Sequence, residues 1–563
     1  MTSHPIANDP LTSSSASRLR SELRAFALTH LPRAMVPAHF VVLRELPELP
    51  NGKIDRKSLP AIHDDNDVAD HVAPRTAAEA QIAAIWQDLL GVTRVSVETS
   101  FFELGGDSLK MLQMSARVGE VYQIRLDLPR LLESPTVAHL ARMVSAQAEP
   151  RLTGADNQRG IRPEDLLAEA VLPDDVVPEP GAIPAHAGPY RTILLTGGTG
   201  YTGAFLLREI LDRSAARVCV IVRADDDATA ARRVAQNLAE YGLLRDGDEP
   251  RIEGIAGDMA RPYLGLPRRT YLDLAARAEI IFHNAADSSW TVPYLRIKPV
   301  NVLGGLEVLR LACRARVKPV HFVCSIAVYP GVPGEQPAVE AELTCPEHVA
   351  GGYRQSKWVI DKLMNRARDR GVPTYIYRVG AITGAHDTGA CSTDTFINDL
   401  IKGCIQLGAV FDYDLMLELV PVNYCAAVIA HVALGSSAPP GVFNVPGARP
   451  VSMNEVIDLI VECGYPLRRL PYAEWYGELA AAIERGEDNQ LARYLGLFGK
   501  DRPAPEIGYP GHRPVFGTER LRAALDGSGL RCPDVDLALW QRYIAYFVSI
   551  GFVPAPRADH RTS

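Results

Sequence analysis

The sequence predicts an α/β protein built on a doubly wound parallel sheet, and three observations carry that reading. From Arg191 onward, short apolar runs at Thr192–Thr196, Val218–Val222, Ile280–His283, Val320–Cys324 and Thr374–Arg378 alternate with helical stretches, as repeated strand–helix–strand units do. The string Gly197-Gly198-Thr199-Gly200-Tyr201-Thr202-Gly203 lies between the first of those runs and a helical segment at Ala204–Leu211. Ahead of Arg191 the texture changes: residues 75–148 show three or four amphipathic helical segments, which predicts a small all-α domain.

The order of elements along the chain follows from composition. With 563 residues, at about 100–200 per domain, three to five structural units are expected. Residues 1–62 contain a polar start, a helix from Leu23 to about Leu31, a strand at Phe40–Leu43 and the loop Pro50-Asn51-Gly52-Lys53-Ile54-Asp55-Arg56. Residues 75–148 form the helical domain. Residues 149–190 carry seven prolines and read as a Pro-rich linker with one short helix at Glu164–Ala170. Residues 191–555 form the α/β domain, with a smaller C-terminal subdomain mainly after residue 380. Hydrophobic residues make up 47% and charged residues 22%, ordinary globular usage.

The formal net charge of −8 and the lack of a basic block argue against a nucleic-acid partner. Nine cysteines at scattered spacing, with no CxxC pair, exclude zinc-ribbon and thioredoxin patterns; no metal site is expected, and buried thiols in a reducing cytoplasm are. The first twenty residues have no apolar core of the secretory kind. No run approaches 18 uninterrupted apolar residues, so no membrane helix is expected.

Within the helical domain, Phe101-Phe102-Glu103-Leu104-Gly105-Gly106-Asp107-Ser108-Leu109 joins two helical patterns. The glycines make a tight turn, and Asp107 and Ser108 open an amphipathic helix; a serine there commonly serves only as an N-cap. The whole string resembles the phosphopantetheine attachment site of acyl and peptidyl carrier proteins. By that likeness Ser108 bears the 4'-phosphopantetheine arm, a tether that raises the concentration of its thioester at a neighbouring site to roughly millimolar. Further upstream, Leu31-Pro32-Arg33-Ala34-Met35-Val36-Pro37 with Asn51-Gly52-Lys53-Ile54-Asp55-Arg56 looks like the end of an adenylation domain of nonribosomal peptide synthetases. In that family the residue matching Lys53 contacts the acyl-adenylate. The nucleotide-binding core is absent from this chain, so a remnant without adenylation activity is expected, and either another protein loads the carrier or the chain was cut from a larger one.

The glycine string, spaced Gly197-x-x-Gly200-x-x-Gly203, lets a backbone approach a pyrophosphate at a helix N-terminus. It resembles the Rossmann-type extended short-chain dehydrogenase/reductases. Thr199, Tyr201 and Thr202 share the loop. At the end of the second strand stands Arg223, where an NAD enzyme would place an acid for the ribose 2′-hydroxyl. An arginine there pairs with a 2′-phosphate, which favours NADPH; Arg232 or Arg233 would add a contact, while the neighbouring Asp225 and Asp226 keep an NAD reading open. The likeness also places Asp258 and Met259 near the adenine, and Asn284, Ala285 and Ala286 along the cofactor.

Tyr353-Arg354-Gln355-Ser356-Lys357 sets Tyr353 and Lys357 on one helical face. An ammonium beside a phenol lowers its pKa from about 10, which makes a proton donor for neutral pH. With Ser325 after the strand Val320–Cys324, the three match the Ser-Tyr-Lys catalytic set of the short-chain family. The resemblance implies that Tyr353 is the acid, that Ser325 orients the carbonyl, and that Lys357 also binds the nicotinamide ribose. Arg378 admits a lining role or a core-edge salt bridge, and His283 and His321 are expected to be structural.

Carrier followed by reductase, after an adenylation end, is similar to the terminal module of a nonribosomal peptide synthetase with a thioester reductase domain, over residues 19–60, 75–148 and 165–555. The implied activity is NADPH-dependent reductive release of a carrier-bound acyl or peptidyl thioester as an aldehyde, with a second hydride giving an alcohol. The implied partners are a phosphopantetheinyl transferase and an upstream synthetase or adenylation enzyme, with no nucleic acid or membrane. Three alternatives stay open. A free-substrate enzyme of the same fold, such as a sugar-nucleotide epimerase, would not need Ser108. A non-redox cyclising release domain typically lacks the tyrosine that is present here. A carrier or docking module with an inactive reductase would fail to bind NADPH.

Overall fold

The computed structural model describes residues 72–147, apart from 93, 103, 107, 123–130 and 132–134, and residues 161–556, apart from 291, 330–337, 345, 348, 413–414, 495–497, 499–508 and 511–513. The expected adenylation remnant, residues 1–62, lies outside the described residues. The chain divides into two compact units, Met1–Gly154 and Ala155–Ser563.

In the first unit, helices α1 (Ala77–Leu90), α2 (Ser108–Tyr122) and α3 (Val137–Gln147) enclose one small core. Ile82, Trp86, Val97, Phe101, Met114, Val118 and Leu140 are fully buried in it, with Trp86 edge-on to Phe101 at 4.8 Å. The backbone of α2 begins at Ser108, directly after the glycine turn, as its sequence expects.

The second unit opens with helix α4 (Pro163–Glu169) and then builds its main sheet. Six strands come in chain order: β1 (Thr192–Thr196), β2 (Arg217–Val222), β3 (Ile252–Ala256), β4 (Ile280–His283), β5 (Val320–Ser325) and β6 (Thr374–Val379). After the short strands β7 (Ala381–Thr383), β8 (Ala409–Phe411), β9 (Leu415–Leu417) and β10 (Leu419–Pro421), strand β11 (Gly441–Val445) completes the sheet. Its order is β11-β6-β5-β4-β1-β2-β3, all parallel. The chain reverses direction between β1 and β4, so a crevice opens beyond their carboxyl ends.

Both faces of the sheet are covered, which is why its strands read as nearly continuous apolar runs. One face carries helices α5 (Tyr201–Arg213) and α6 (Asp227–Glu240). The other carries α7 (Arg268–Arg277), α8 (Tyr294–Lys298), α9 (Gly304–Cys313) and α10 (Gly352–Asp369). Between α8 and α9, residues Pro299–Leu303 widen into a π-helical turn. A separate core forms after residue 380 around α11 (Phe396–Leu407), with Leu400, Phe411, Leu417, Ile457, Trp475 and Phe547 buried in it. The subdomain is interrupted, because α12 (Val422–Leu434) and β11 return to the main fold.

The linker departs from expectation. Residues 161–190 are not a free tether but part of the second unit. Leu166, Ala170, Leu172 and Val176 are buried in the core beneath α10. Basic side chains of the α/β domain take the linker's carbonyls and carboxylates: Arg366 donates to Ala170 O (2.6 Å), Arg370 to Pro173 O (2.6 Å), Arg310 to Asp175 (2.6 Å) and Arg314 to Glu179 (2.8 Å). Proline content registered the extended backbone, while the spaced apolar residues drive the docking.

His283 and His321 sit in the sheet core. His321 stacks on Tyr375 (4.3 Å between centroids) and bonds the Tyr377 hydroxyl at 2.8 Å; His283 bonds Thr196 Oγ1 at 2.8 Å. Burial drops both to about 3, with the Lys357 charge adding to the effect at His283. The unfolded chain therefore binds more protons below about pH 6.5, so stability falls as the pH drops through that value. Each histidine should remove about 2 kcal/mol by pH 5. Urea unfolding of the second unit at pH 7 and pH 5 checks this: the acid loss should shrink by about that amount in His321→Gln.

Candidate active site

The glycine loop leaves β1 at the β1/β4 reversal and enters α5. At Gly203 an added Cβ would stand 2.0 Å from Gly197 O, so the helix could not close on the loop with any other residue. Asn237 on α6 holds the loop from below, donating to Gly198 O and Gly200 O, each at 3.1 Å. On the β4 side, Asn284 Nδ2 donates to Gly197 O at 3.3 Å, and the Ala285 amide donates to Thr196 Oγ1 at 3.2 Å. Thr199, Thr202 and Ala286 are half-buried around the same crevice. Tyr201 is placed differently from expectation: its hydroxyl donates to the carbonyls of Thr383 (3.0 Å) and Ala390 (2.8 Å). Its side chain thus ties α5 to the C-terminal subdomain, and only its backbone faces the loop.

Arg223 is exposed directly after β2, and Arg233 reaches back from α6 to donate to Arg223 O. Two of the nearby acids are already engaged. Asp226 caps α6 by accepting from Thr229 N at 2.7 Å, and Asp227 accepts from Ala256 N at 2.7 Å. Asp258 accepts from Ala260 N at 3.0 Å and pairs with Arg261 at 3.4 Å, while Met259 packs against the core. Tight loop, helix N-terminus and exposed guanidiniums suit a dinucleotide with a 2′-phosphate.

Two strand spacings from β1, roughly 10 Å, β5 ends at Ser325. Ser325 accepts from Ala327 N at 3.1 Å, and its hydroxyl lies close enough to Tyr353 to draw the phenol pKa down. Helix α10 can bring Tyr353 there because it starts at Gly352, where a Cβ would lie 2.2 Å from Val292 O. Lys357, one turn on, is buried; its Nζ donates to Val323 O at 2.9 Å and lies 6.0 Å from the Tyr353 ring centroid. The three residues are therefore brought together. The direction of the tyrosine shift is opposite to expectation: burial holds the phenol above its usual range, the Cys324 sulfur adds to that, and the nearby Ser325 hydroxyl only partly offsets it. Burial likewise pushes Lys357 down. Desolvation sets the direction for both groups.

Several residues escaped sequence reading. Trp290, in the loop after β4, covers the Tyr353 ring at 5.2 Å. Asn301, in the π-helical turn, donates to Asp287 O and Ser356 Oγ at 2.9 Å each, and Ser356 donates to Tyr353 O at 2.7 Å. A π-turn in a helix facing a crevice is a recurrent functional sign, but periodicity does not reveal it. Arg378 resolves to the salt bridge. Fully buried, it clamps Asp361 of α10 through two bonds of 2.8 and 2.7 Å and also donates to the Tyr329 hydroxyl.

Two family models match. Residues 195–429 match the NAD-binding family described as male sterility protein, and residues 80–144 match the phosphopantetheine attachment site. The terminal R domain from the myxalamid PKS-NRPS biosynthetic pathway is 34% identical, covering 70% of this chain and 99% of that one, with a TM-score of 0.65. The chain belongs to the terminal reductase domains of nonribosomal peptide synthetases, with a carrier domain ahead of it. The reductase is also 33% identical to a linear gramicidin synthase protein of Brevibacillus parabrevis, over 94% of this chain and 10% of that protein. It is 34% identical to the isonitrile lipopeptide synthase of Streptomyces coeruleorubidus, over 96% of this chain and 37% of that protein. The chain thus spans well under half of those relatives' length. Family membership makes it a nicotinamide-dependent oxidoreductase of the thioester reductase kind. Among the described residues, no helix is long and apolar enough to cross a membrane and no acidic, histidine or cysteine group could hold a metal ion.

The buried Arg378–Asp361 pair generates a stability prediction. Arg378→Met strands the Asp361 carboxylate and should cost about 3–5 kcal/mol in denaturant unfolding. Arg378→Met combined with Asp361→Leu should recover most of that loss.

Proposed function

We propose that the chain reductively releases an acyl or peptidyl group held as a thioester on its own carrier. The observation that supports this most is the convergence of Ser325, Tyr353 and Lys357 at the end of β5, with Lys357 Nζ on Val323 O at 2.9 Å, beside a dinucleotide loop in a chain that also holds a carrier serine. The phosphopantetheine arm on Ser108 would supply the thiol that bears the acyl group. NADPH, held by the loop Gly197–Gly203 with its 2′-phosphate against Arg223 and Arg233, would supply hydride to the thioester carbonyl.

The chain's own residues do the rest. Ser325 and Tyr353 present two hydroxyls to the carbonyl oxygen, where negative charge develops, and stabilise it more than the neutral ground state. Tyr353 then gives that oxygen its proton. With its pKa held above the ordinary value, the phenol stays protonated across the working range and is always ready to donate. Cleavage of the carbon–sulfur bond leaves an aldehyde and the carrier thiol; one hydride and one proton enter for each aldehyde formed. A transferase adds the arm to Ser108, and an upstream synthetase or adenylation enzyme loads it.

The test is single turnover: Ser108 is loaded with an acyl-phosphopantetheine arm, NADPH is added, and nicotinamide absorbance is followed together with the mass of carrier and product. NADPH oxidation with release of aldehyde or alcohol is expected, and Tyr353→Phe should slow it by about 10²–10⁴-fold. Acyl release without NADPH oxidation would overturn the reading.

Cofactor choice is tested separately. Arg223→Ala removes a charge-assisted contact to the 2′-phosphate and should raise the KM for NADPH about 10- to 100-fold. The KM for NADH should stay within a factor of about two. Equal changes for both cofactors would remove Arg223 from this role.

A further inference from the structure

Two hydroxyls must meet one oxygen in this site, and they come from different elements. Ser325 ends β5, and Tyr353 lies in the first turn of α10. The chain leaves Ser325 through a single 3₁₀ turn, Ile326–Val328, closed by Tyr329 N donating to Ile326 O at 3.0 Å. Inside that turn the Ala327 amide donates to Ser325 Oγ at 3.1 Å. A serine hydroxyl has one hydrogen and two lone pairs. The Ala327 bond takes a lone pair, so it favours one rotamer of Ser325 and leaves the hydrogen for another acceptor.

A helical turn this short leaves its last carbonyls without partners of its own. Two of them are taken by one side chain: Arg354 donates through Nε to Ala327 O at 2.7 Å and through Nη2 to Tyr329 O at 3.1 Å. Ala327 therefore stands between Arg354 and Ser325, its carbonyl bound to the one and its amide to the other. Arg354 directly follows Tyr353, so its guanidinium ties the turn to the point on α10 that bears the phenol. Other contacts fix the two ends of the turn. Lys357 Nζ holds β5 at Val323 O (2.9 Å), and the Tyr329 hydroxyl donates to Val339 O at 2.9 Å. The bonds at Ala327 fix its middle.

Taking the reductase reading as its basis, we infer that Arg354 is a positioning residue that acts through Ser325: it straps the Ile326–Val328 turn to α10 and so aims the Ser325 hydroxyl at the oxygen that Tyr353 protonates. The planar fork of an arginine suits two carbonyls on one turn, which the single ammonium of a lysine cannot match. With the strap cut, the buried Ile326 and Val328 side chains still keep the turn in place. The Ala327 peptide can then tilt, and Ser325 can change rotamer. What is lost is aim, not a reacting group. Removing a donor to a developing charge costs about 10²–10³-fold, and misplacing a contact by about 1 Å costs up to about 10²-fold. Arg354→Met, which keeps the aliphatic stem, should therefore slow hydride transfer about tenfold, less than Ser325→Ala does. NADPH affinity should hold, because the bonds removed run to the turn.

The experiment is a double-mutant cycle in the full chain: wild type, Arg354→Met, Ser325→Ala and the double variant. Acetyl, octanoyl and alanyl groups are each loaded on the Ser108 arm, and single-turnover NADPH oxidation is followed with the acyl group that wild type reduces fastest. NADPH Kd is measured by nicotinamide fluorescence, and folding by thermal melting. The expected result is a fall of about tenfold for Arg354→Met in the wild-type background, less than about twofold in the Ser325→Ala background, and an unchanged Kd. A tenfold fall in both backgrounds would mean that Arg354 acts on Tyr353 or on α10 as a whole, and would overturn the inference. An unchanged rate in the wild-type background would overturn it too, as would a matching loss of NADPH affinity. Should Arg354→Met fail to fold, Arg354→Lys, which keeps the charge and one donor, runs through the same cycle; a fall of about threefold that vanishes with Ser325→Ala is then expected, and one that persists overturns the inference. A wild-type chain that oxidises NADPH with none of the three acyl groups would instead bring down the reductase reading itself.

Discussion

The placement of the catalytic helix rests on a guanidinium and a carboxylate that never meet water. Arg378 rises from β6 and Asp361 descends from α10, both fully buried. Such a pair gives up its hydration, so an apolar pair of the same volume would hold the helix about as tightly. What it adds is register. Two parallel bonds fix the rotation and axial position of α10, and Asn365 Nδ2 reaches the same carboxylate at 3.0 Å. The network extends through the Tyr329 hydroxyl to Asn444 at 2.9 Å, and from Asn444 to Ala338 O and Gly517 O at 2.9 Å. One slip of α10 would orphan groups on four segments. Tyr353 and Lys357, two turns and one turn upstream, inherit that register.

Most of the frame was legible in the sequence because it rests on local patterns. β1 and β4 were placed to the residue and β2, β5 and β6 to within one, since a strand buried on both faces leaves an apolar run bounded by polar residues, while the edge strands β3 and β11 were not read. The glycine loop was legible because its spacing needs only a strand before it and a helix after it. Ser325, Tyr353 and Lys357 were legible as types at a spacing. Contacts between segments far apart in the chain were not. Asn237 sits in an ordinary amphipathic helix, and nothing local says that its amide reaches 39 residues back to Gly198. Trp290 reads as an isolated aromatic in a turn. The direction of the Tyr353 shift was misread because charge is visible in a sequence and burial is not.

The linker shows the same limit in another form. Its prolines marked an extended, helix-poor backbone, which is what the structure contains around α4. Whether such a backbone floats or docks depends on the surface that it meets. Leu166, Leu172 and Val176 are spaced widely enough to look incidental, yet each is buried against α9 or α10 or the core between them. The arginines that receive the linker carbonyls lie about 195 residues further on. A composition rule sees one side of that interface only.

The neutral bias of the site follows from the same burial. Tyr353 is held above its ordinary pKa and Lys357 below, so desolvation favours the uncharged form of each. A site built to oxidise an alcohol needs a base at rest, and a phenolate next to a stable ammonium would provide one. A site built to reduce a thioester needs the reverse: a proton poised against an oxygen that becomes strongly basic only as hydride arrives. A phenol with a raised pKa loses little as a donor to such an oxygen, because an alkoxide is the stronger base. It gains by holding its proton until then. The lysine, meanwhile, keeps its amine on Val323 O at 2.9 Å rather than on the phenol, which leaves the tyrosine hydroxyl to Ser325 and the substrate. Packing that looks unfavourable for two ionisable groups is thus matched to the reductive direction.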